Sequence, residues 1–398
     1  MAKLLVIDEQ EDTKIPFLRG MLIKSLQRSG LEFVDAYKLA SEIREDLEDV
    51  ETITTENLRK KIIDTLKEDH PGIVLGQNPR DTIYTESIEV TRDDGHAELF
   101  SRGIFVKRLL NAGIPAGTCN TITRQVHSML IREKMRKISV EQLITYTYET
   151  VRKVAGQKSA DCYLIWCDFN RSHLPLLILI GGIPGSGKST VATELANQMS
   201  IIRTQSTDML REVMRALIPK RLSPSLHGSS FNAGKALHTQ AFYKANKSDA
   251  LVSGFKMQSD MVSVACEAVL NRAINERVSV ILEGVHLGPS LYSKLSKKDA
   301  IAVPIMLSVL DQKRLKRNFK GRSKDSEKRA AKRYLDNFDL IWQLQAAVLS
   351  DADAADIEIV DNVDIDETIS DICRTVTETL EAHYKGKIKT LRTDYTQA

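Results

Sequence analysis

Leu176-Leu-Ile-Leu-Ile-Gly-Gly-Ile-Pro-Gly-Ser-Gly-Lys-Ser-Thr190 decides the fold. Its aliphatic opening reads as a strand buried on both faces, which runs straight into Gly-x-x-x-x-Gly-Lys-Ser and then into a helix. Gly182, Gly185 and Gly187, with Ser186 and Thr190 between and after them, let successive backbone N–H groups converge on nucleotide phosphates. The helix opening at Lys188 aims its positive dipole end at the same anions. Lys188 is then placed to span the β- and γ-phosphates of ATP, and the Ser189 hydroxyl to hold Mg²⁺. A ligand-free glycine turn would need neither the lysine nor the hydroxyl.

Around this motif lie 398 residues, 42% hydrophobic and 27% charged, enough for two or three domains with their own cores. A net charge of +3 is too mild to imply nucleic acid or a membrane surface, so any anion preference must come from local clusters. The five cysteines form no Cys-x-x-Cys pair, and their odd number fits buried thiols in a reducing compartment. Met1 to Ile7 is too short for a signal peptide's apolar region, and no window reaches the roughly 18 apolar residues of a membrane span. The expectation is a soluble, cytoplasmic protein.

The first 170 residues hold a duplication. Phe17-Leu-Arg-Gly-Met-Leu-Ile-Lys-Ser-Leu-Gln-Arg-Ser-Gly-Leu31 matches Phe100-Ser-Arg-Gly-Ile-Phe-Val-Lys-Arg-Leu-Leu-Asn-Ala-Gly-Ile114 without a gap, and Ile53 to Leu58 matches Ile138 to Leu143. Both copies show apolar positions at helical spacing, a helix stop at Gly30 or Gly113, and Thr54 or Ser139 as caps of a later helix. Short β-prone segments precede each copy, Leu4 to Ile7 and Ser87 to Thr91, the second followed by the turn signal Arg92-Asp-Asp-Gly95. This strand, turn, Phe-x-Arg-Gly, helix order resembles the ATP-cone, a nucleotide-sensing module. The first copy carries Glu9-Gln-Glu-Asp12 where that module has a basic, glycine-containing hairpin.

From Leu176 onward strands and helices alternate, which argues a parallel α/β sheet. Candidate strands are Leu176–Ile180, Ile201–Gln205, Val278–Leu282, Val303–Val309 and Ile357–Val360, with Asn170 to Pro175 as the linker between halves. The expected architecture is an α/β P-loop NTPase kinase core with a five-stranded parallel sheet, preceded by mostly helical ATP-cone-like repeats. Its domains are 1–84, 85–170 and 171–398.

Three further clusters carry chemistry. After the second strand, Asp208, Arg211 and Arg215 stand at helical spacing on the edge where parallel sheets bind ligands. Asp208 could accept a substrate hydroxyl proton or serve Mg²⁺, and the arginines could take an acceptor's carboxylate or phosphate, or all three could be a cap and surface charges. Glu283 closes the third strand where a Walker B carboxylate orients Mg²⁺, and His286 follows as a donor to an anionic acceptor or a structural histidine. Residues 311 to 333 hold 11 basic and 3 acidic side chains. That density reads as a lid over the phosphates, with Arg314, Arg317 and Arg322 neutralising the transferred group and Gly321 as its break, or as a nucleic-acid patch or a solvated helix.

Leu177-Ile-Leu-Ile-Gly-Gly182, Thr207-Asp-Met-Leu-Arg-Glu-Val-Met-Arg215, Leu226-His-Gly-Ser-Ser-Phe231, Leu282-Glu-Gly-Val-His-Leu-Gly-Pro289 and Arg333-Tyr-Leu-Asp-Asn-Phe338 together resemble the archaeal 2-phosphoglycerate kinase family. The resemblance implies an ATP- and Mg²⁺-dependent enzyme that makes 2,3-bisphosphoglycerate. It implies Lys188, Asp208 and Arg317 as catalytic and Gly182, Gly185, Ser186, Gly187, Lys188, Ser189, Thr190 and Arg322 as nucleotide-binding. Arg211, Arg215 and His286 would hold the acceptor, and Ser189, Asp208 and Glu283 the metal. Asp311 and Trp342 depart from the family's pattern, which has a histidine and a basic residue there. A kinase for another phosphorylated small molecule, such as an inositol phosphate, and an ATP-sensing regulator without activity are the alternatives. Partners are a small phosphorylated substrate, neither membrane nor nucleic acid, with self-association left open.

Overall fold

The computed structural model describes residues 4–8, 13–28, 31, 33–47, 50–69, 88–92, 95–133, 135–236, 246–295, 298–321 and 325–396. The expectations placed on Glu9 to Asp12, Gly30, Ser87, Asp93, Asp94 and Arg322 lie outside them.

The duplication seen in the sequence has a common element order. The first copy runs β1 (Leu5–Asp8), β2 (Thr13–Pro16), α1 (Arg19–Arg28), α2 (Phe33–Asp46), β3 (Thr52–Thr54) and α3 (Thr55–Asp69). The second runs β4 (Glu89–Thr91), β5 (Ala97–Leu99), α4 (Arg102–Asn111), α5 (Ala116–Arg132), β6 (Lys137–Ser139) and α6 (Val140–Ser172). In each, the first strand pairs antiparallel with the second and parallel with the third. Gly113 takes φ 75° and stops α4, and Thr54 accepts the Asn57 N–H at the start of α3. By compactness the chain divides into one unit of Met1–Phe100 with Ser128–Val140 and another of Ser101–His127 with Glu141–Ala398.

The second unit holds a five-stranded parallel sheet of β7 (Leu176–Gly182), β8 (Arg203–Ser206), β9 (Val280–Glu283), β10 (Ile301–Ser308) and β11 (Glu358–Asp361), in the order β11-β10-β7-β9-β8. Every residue of β7 is buried, as its unbroken apolar run requires of a central strand. The edge strand starts two residues later than Ile201, because the Ile201 N–H closes the preceding helix on Ala196 O and leaves Ile202 95% exposed. Helix α6 also overruns its expected end: Phe169 is buried and Arg171 donates to the Tyr395 hydroxyl, so only His173 to Pro175 remain as connection.

Between and around the strands lie α7 (Lys188–Met199), α8 (Thr207–Leu217), α9 (Lys247–Asn275), α10 (Pro289–Tyr292), α11 (Gln312–Lys320), α12 (Asp325–Asp336), α13 (Phe338–Asp353), α14 (Ile365–Tyr384) and α15 (Ile388–Thr396). On one side of the sheet Val262, Cys266 and Leu270 of α9 pack on Leu177, Leu179, Val280 and Leu282, while Phe255 joins Met306, Ile341 and Leu344. All five cysteines are free thiols, and burial pushes Cys119, Cys162, Cys266 and Cys373 up to about 12 and Cys167 to about 11. Among the described residues no helix is long and apolar enough to cross a membrane.

Helix α9 meets the turn at 233–236 backbone to backbone. A Cβ on Gly254 would stand 2.1 Å from Gly234 N and 2.3 Å from its Cα, atoms that cannot rotate away. Gly254→Ala is expected to gain up to about 1 kcal/mol of helix propensity but lose more to overpacking, for a net loss of roughly 1–2 kcal/mol. Denaturant unfolding measures this, and a stabilised variant would mean that the helix does not pack this closely.

Candidate active site

The loop from β7 to α7 is held from two sides. Gly182, Gly185 and Gly187 all take positive φ, and Ser186 is fully buried with its hydroxyl unpartnered. Asn362, just after β11, donates to Ser186 O at 2.8 Å while its own oxygen accepts from Thr368 at 3.0 Å. Asn318 of α11 donates to Gly185 O at 2.9 Å, and the Leu315 and Phe319 side chains press on Gly185. Lys188 Nζ donates to Ile183 O at 2.9 Å within the loop itself. Ser189 Oγ donates to Glu283 Oε1 at 3.1 Å, so the hydroxyl and the carboxylate that the sequence marks for Mg²⁺ meet between the first turn of α7 and the end of β9. Thr190 follows on the first turn of α7, exposed.

Beside this loop stands the start of α8. Ser206 caps the helix by accepting the Asp208 N–H, and Asp208, 63% exposed, lies 3.4 Å from the Arg211 guanidinium. Arg211 is only 14% exposed; its Nη1 donates to Gly228 O at 2.7 Å, yet its Nε is buried without a partner. Arg215 pairs with Glu212 of its own helix, and its Nε is likewise buried and unpartnered. Arg211 and Arg215 therefore each keep a buried Nε–H in reserve, as does Arg314 of α11, so the placement beside Asp208 and not the spare donor alone is what marks the pair.

His286 is engaged differently from the sequence expectation. It is 2% exposed, with Nδ1 3.0 Å from Thr207 Oγ1 and Nε2 3.2 Å from Gln258 Oε1, so both ring nitrogens are spent inside the protein. Burial lowers its pKa to about 4; Asp208 opposes this, and Arg211 and Lys188 add to it. Asp208, Arg211 and Lys188 therefore all lie close enough to this ring for their charges to act on it.

A pH dependence follows. The unfolded histidine titrates near 6.5 and the folded one near 4, so between these values the unfolded chain binds the extra proton and stability falls as pH drops. The contribution is about 1.4 kcal/mol per pH unit in that window. Denaturant melts between pH 7 and 4.5 should show a shallower loss for His286→Gln than for the wild type, and parallel curves would contradict it.

The basic segment forms α11, closed at Gly321, and α12, and some of its charges are used within the protein. Asp311 caps α11 by accepting the Lys313 N–H at 2.8 Å, Arg314 Nη2 donates to both carboxylate oxygens of Asp361 at 2.8 and 2.9 Å, and Lys316 lies over the Phe338 ring. Trp342 stacks on the same ring, 6.2 Å between centroids. At 100° per residue, Arg317 stands on the side of α11 opposite Leu315 and Phe319, exposed and away from the loop they hold. The structure thus does not bring Arg317 to the phosphate loop. Arg317→Ala is expected to change kcat by less than roughly threefold, under 1 kcal/mol, and a thousandfold fall would require α11 to turn its outer side inward.

Sequence reading missed Gln258, Asn318, Asp361 and Asn362. Asn362 carried one faint signal, as the polar residue closing the last strand, where ligands meet parallel sheets. Gln258 carried another, a polar residue in register with Leu251, Phe255, Val262 and Cys266.

A parallel sheet with this loop, a carboxylate at the adjacent strand end and unspent guanidinium donors opposite define a P-loop kinase. No family model matches the chain. It is 33% identical over 292 residues to the 2-phosphoglycerate kinase of Pyrococcus furiosus, spanning 73% of this chain and 94% of the relative. With that of Thermococcus kodakarensis it shares 34% over 283 residues, 71% of this chain and 94% of the relative. The chain belongs to the archaeal 2-phosphoglycerate kinase family. Among solved structures, a gluconokinase from Sinorhizobium meliloti is similar at 17% identity and a TM-score of 0.29, over 53% of this chain and 97% of that one.

Proposed function

We propose that this kinase transfers the γ-phosphoryl group of ATP to the C3 hydroxyl of 2-phosphoglycerate, giving 2,3-bisphosphoglycerate and ADP. The observation that carries the reading is the placing of two polar groups at neighbouring strands: Ser189 against Glu283 at the phosphate loop, and, just after Ser206, which pairs with Glu283, Asp208 3.4 Å from an Arg211 whose Nε is unspent. The family membership supplies the acceptor.

In this reading Lys188 leaves Ile183 O for the β- and γ-phosphates, and the backbone of Gly182 to Ser189 takes the remaining oxygens. Arg211 and Arg215 hold the phosphate and carboxylate of the acceptor. Asp208 orients the C3 hydroxyl and takes its proton as the oxygen bonds to phosphorus and the bond to the leaving ADP oxygen breaks. Ser189 and Glu283, hard oxygen donors 3.1 Å apart, fit a Mg²⁺ ion and would hold it beside the phosphates. Bound there it would neutralise charge on the phosphates. The same reading divides the chain functionally into ATP-cone-like units at 1–84 and 85–170 and a kinase domain at 171–398, supported by the shared strand pairing of the two repeats. The free, protonated thiols favour a cytoplasmic setting.

Incubation with γ-labelled ATP, Mg²⁺ and a panel of acceptors tests the proposal. Label is expected in 2,3-bisphosphoglycerate, with little transfer to 3-phosphoglycerate or inositol phosphates. Preferential labelling of an inositol phosphate would overturn the assignment.

A further inference from the structure

The buried polar groups behind the acceptor side form a closed ring. Gln258, fully buried in the middle of α9, donates through Nε2 to Ser225 O at 2.6 Å and Gly228 O at 3.1 Å. The same Gly228 carbonyl receives Arg211 Nη1. In the other direction Gln258 Oε1 meets His286 Nε2, and His286 Nδ1 meets Thr207 Oγ1. Thr207 and Arg211 are four residues apart on α8, so one turn of that helix closes the ring.

Every donor in the ring has a fixed direction. Two carbonyls face the Gln258 amide nitrogen, so its oxygen must face His286, and the proton of the neutral imidazole must sit on Nε2. Nδ1 is then the acceptor, and the Thr207 hydroxyl donates to it. Gly228 O has both lone pairs occupied. Of the Arg211 guanidinium, one nitrogen is anchored to this ring and Nε is left buried and unpartnered.

We propose that Gln258 is a positioning residue for the acceptor: acting through the Gly228 carbonyl and through His286 and Thr207, it fixes Arg211 so that the unspent Nε faces the acceptor's anionic group. The assignment rests on the reading of Arg211 as an acceptor ligand. It also gives His286 a role as a link in the ring, not as a ligand. The bonds of Gln258 go to Ser225, Gly228 and His286 and not to the phosphate loop, so its loss is expected to act on one substrate only.

Steady-state kinetics with 2-phosphoglycerate and MgATP test this on Arg211→Ala, Gln258→Leu and the double variant. Arg211→Ala is expected to raise the acceptor KM at least thirtyfold. Gln258→Leu should raise it about tenfold with the ATP KM within twofold, and should add less than twofold on top of Arg211→Ala, because the residue it positions is already gone. Gln258→Glu adds a pH profile: its carboxylate would face two carbonyl oxygens, so the acceptor KM should recover towards the wild-type value as the medium is acidified and the carboxyl regains a donor. Should Gln258→Leu fail to fold, Thr207→Val removes the hydroxyl at the other end of the ring at nearly constant shape and should give the same split. An Arg211→Ala enzyme with an unchanged acceptor KM overturns the acceptor reading and the positioning role with it. A normal Arg211→Ala response beside a silent Gln258→Leu or Thr207→Val, or full multiplication in the double variant, overturns the positioning role alone.

Discussion

Replacing Lys188 with alanine lowers kcat for phosphoryl transfer by about 10³-fold or more, the scale at which preorganised charge acts on a transferring phosphoryl group. The folded chain loses little by the change. Lys188 donates to Ile183 O, and a bond of that kind is worth about 1 kcal/mol net. The loop has other supports in Asn362, Asn318 and the packed Phe319. Measured together, turnover and the unfolding midpoint separate the two effects: turnover collapses and the midpoint hardly moves. A variant within tenfold of wild-type kcat would mean that the phosphates are neutralised by a cation other than Lys188.

Gly284→Ala has the second large effect, and it strikes both stability and activity. A Cβ at this position would lie 1.7 Å from Thr207 Oγ1 and 2.7 Å from Thr207 Cβ, at φ 154°. Thr207 is fully buried at the start of α8 and cannot step aside. Relief must come from moving α8, which carries Asp208 and Arg211, or from moving the end of β9, which carries Glu283. Overpacking and backbone strain together cost about 2–4 kcal/mol. A displacement of about 1 Å at a reacting group is enough for a loss of roughly 10² in kcat/KM. Denaturant unfolding and steady-state kinetics on the same preparation should show both losses. Wild-type activity in this variant would mean that Thr207 and the strand end are not in contact.

The physical reason for the Glu-Gly-Val-His stretch is thus a close approach, and that was only half legible in the chain. An unbroken apolar run, Leu176 to Ile180, could be nothing but a central strand, and the loop after it declares its ligand by residue type and spacing. The repeat was legible because the same apolar spacing recurs, and its two copies share one strand pairing. What the sequence could not show is which polar groups spend their hydrogen bonds on the protein. His286 looked like an acceptor ligand because burial cannot be read from one residue, and Arg317 looked like a lid finger because a basic run does not reveal which side of its helix packs. Asn362 reaches the phosphate loop across 176 residues of chain, and Gln258 reaches Gly228 across 30, contacts that only the folded topology creates.

The central claim is that one crevice seats two anions side by side, the nucleotide on Lys188 and the acceptor on Arg211. A crystal structure with a non-hydrolysable ATP analogue, Mg²⁺ and 2-phosphoglycerate tests it most directly. An acceptor oxygen within hydrogen-bond distance of Arg211 Nε and the C3 hydroxyl beside Asp208, in line with the terminal phosphoryl group, is the expected result; 2-phosphoglycerate bound elsewhere, with Asp208 and Arg211 turned from the nucleotide, would contradict it.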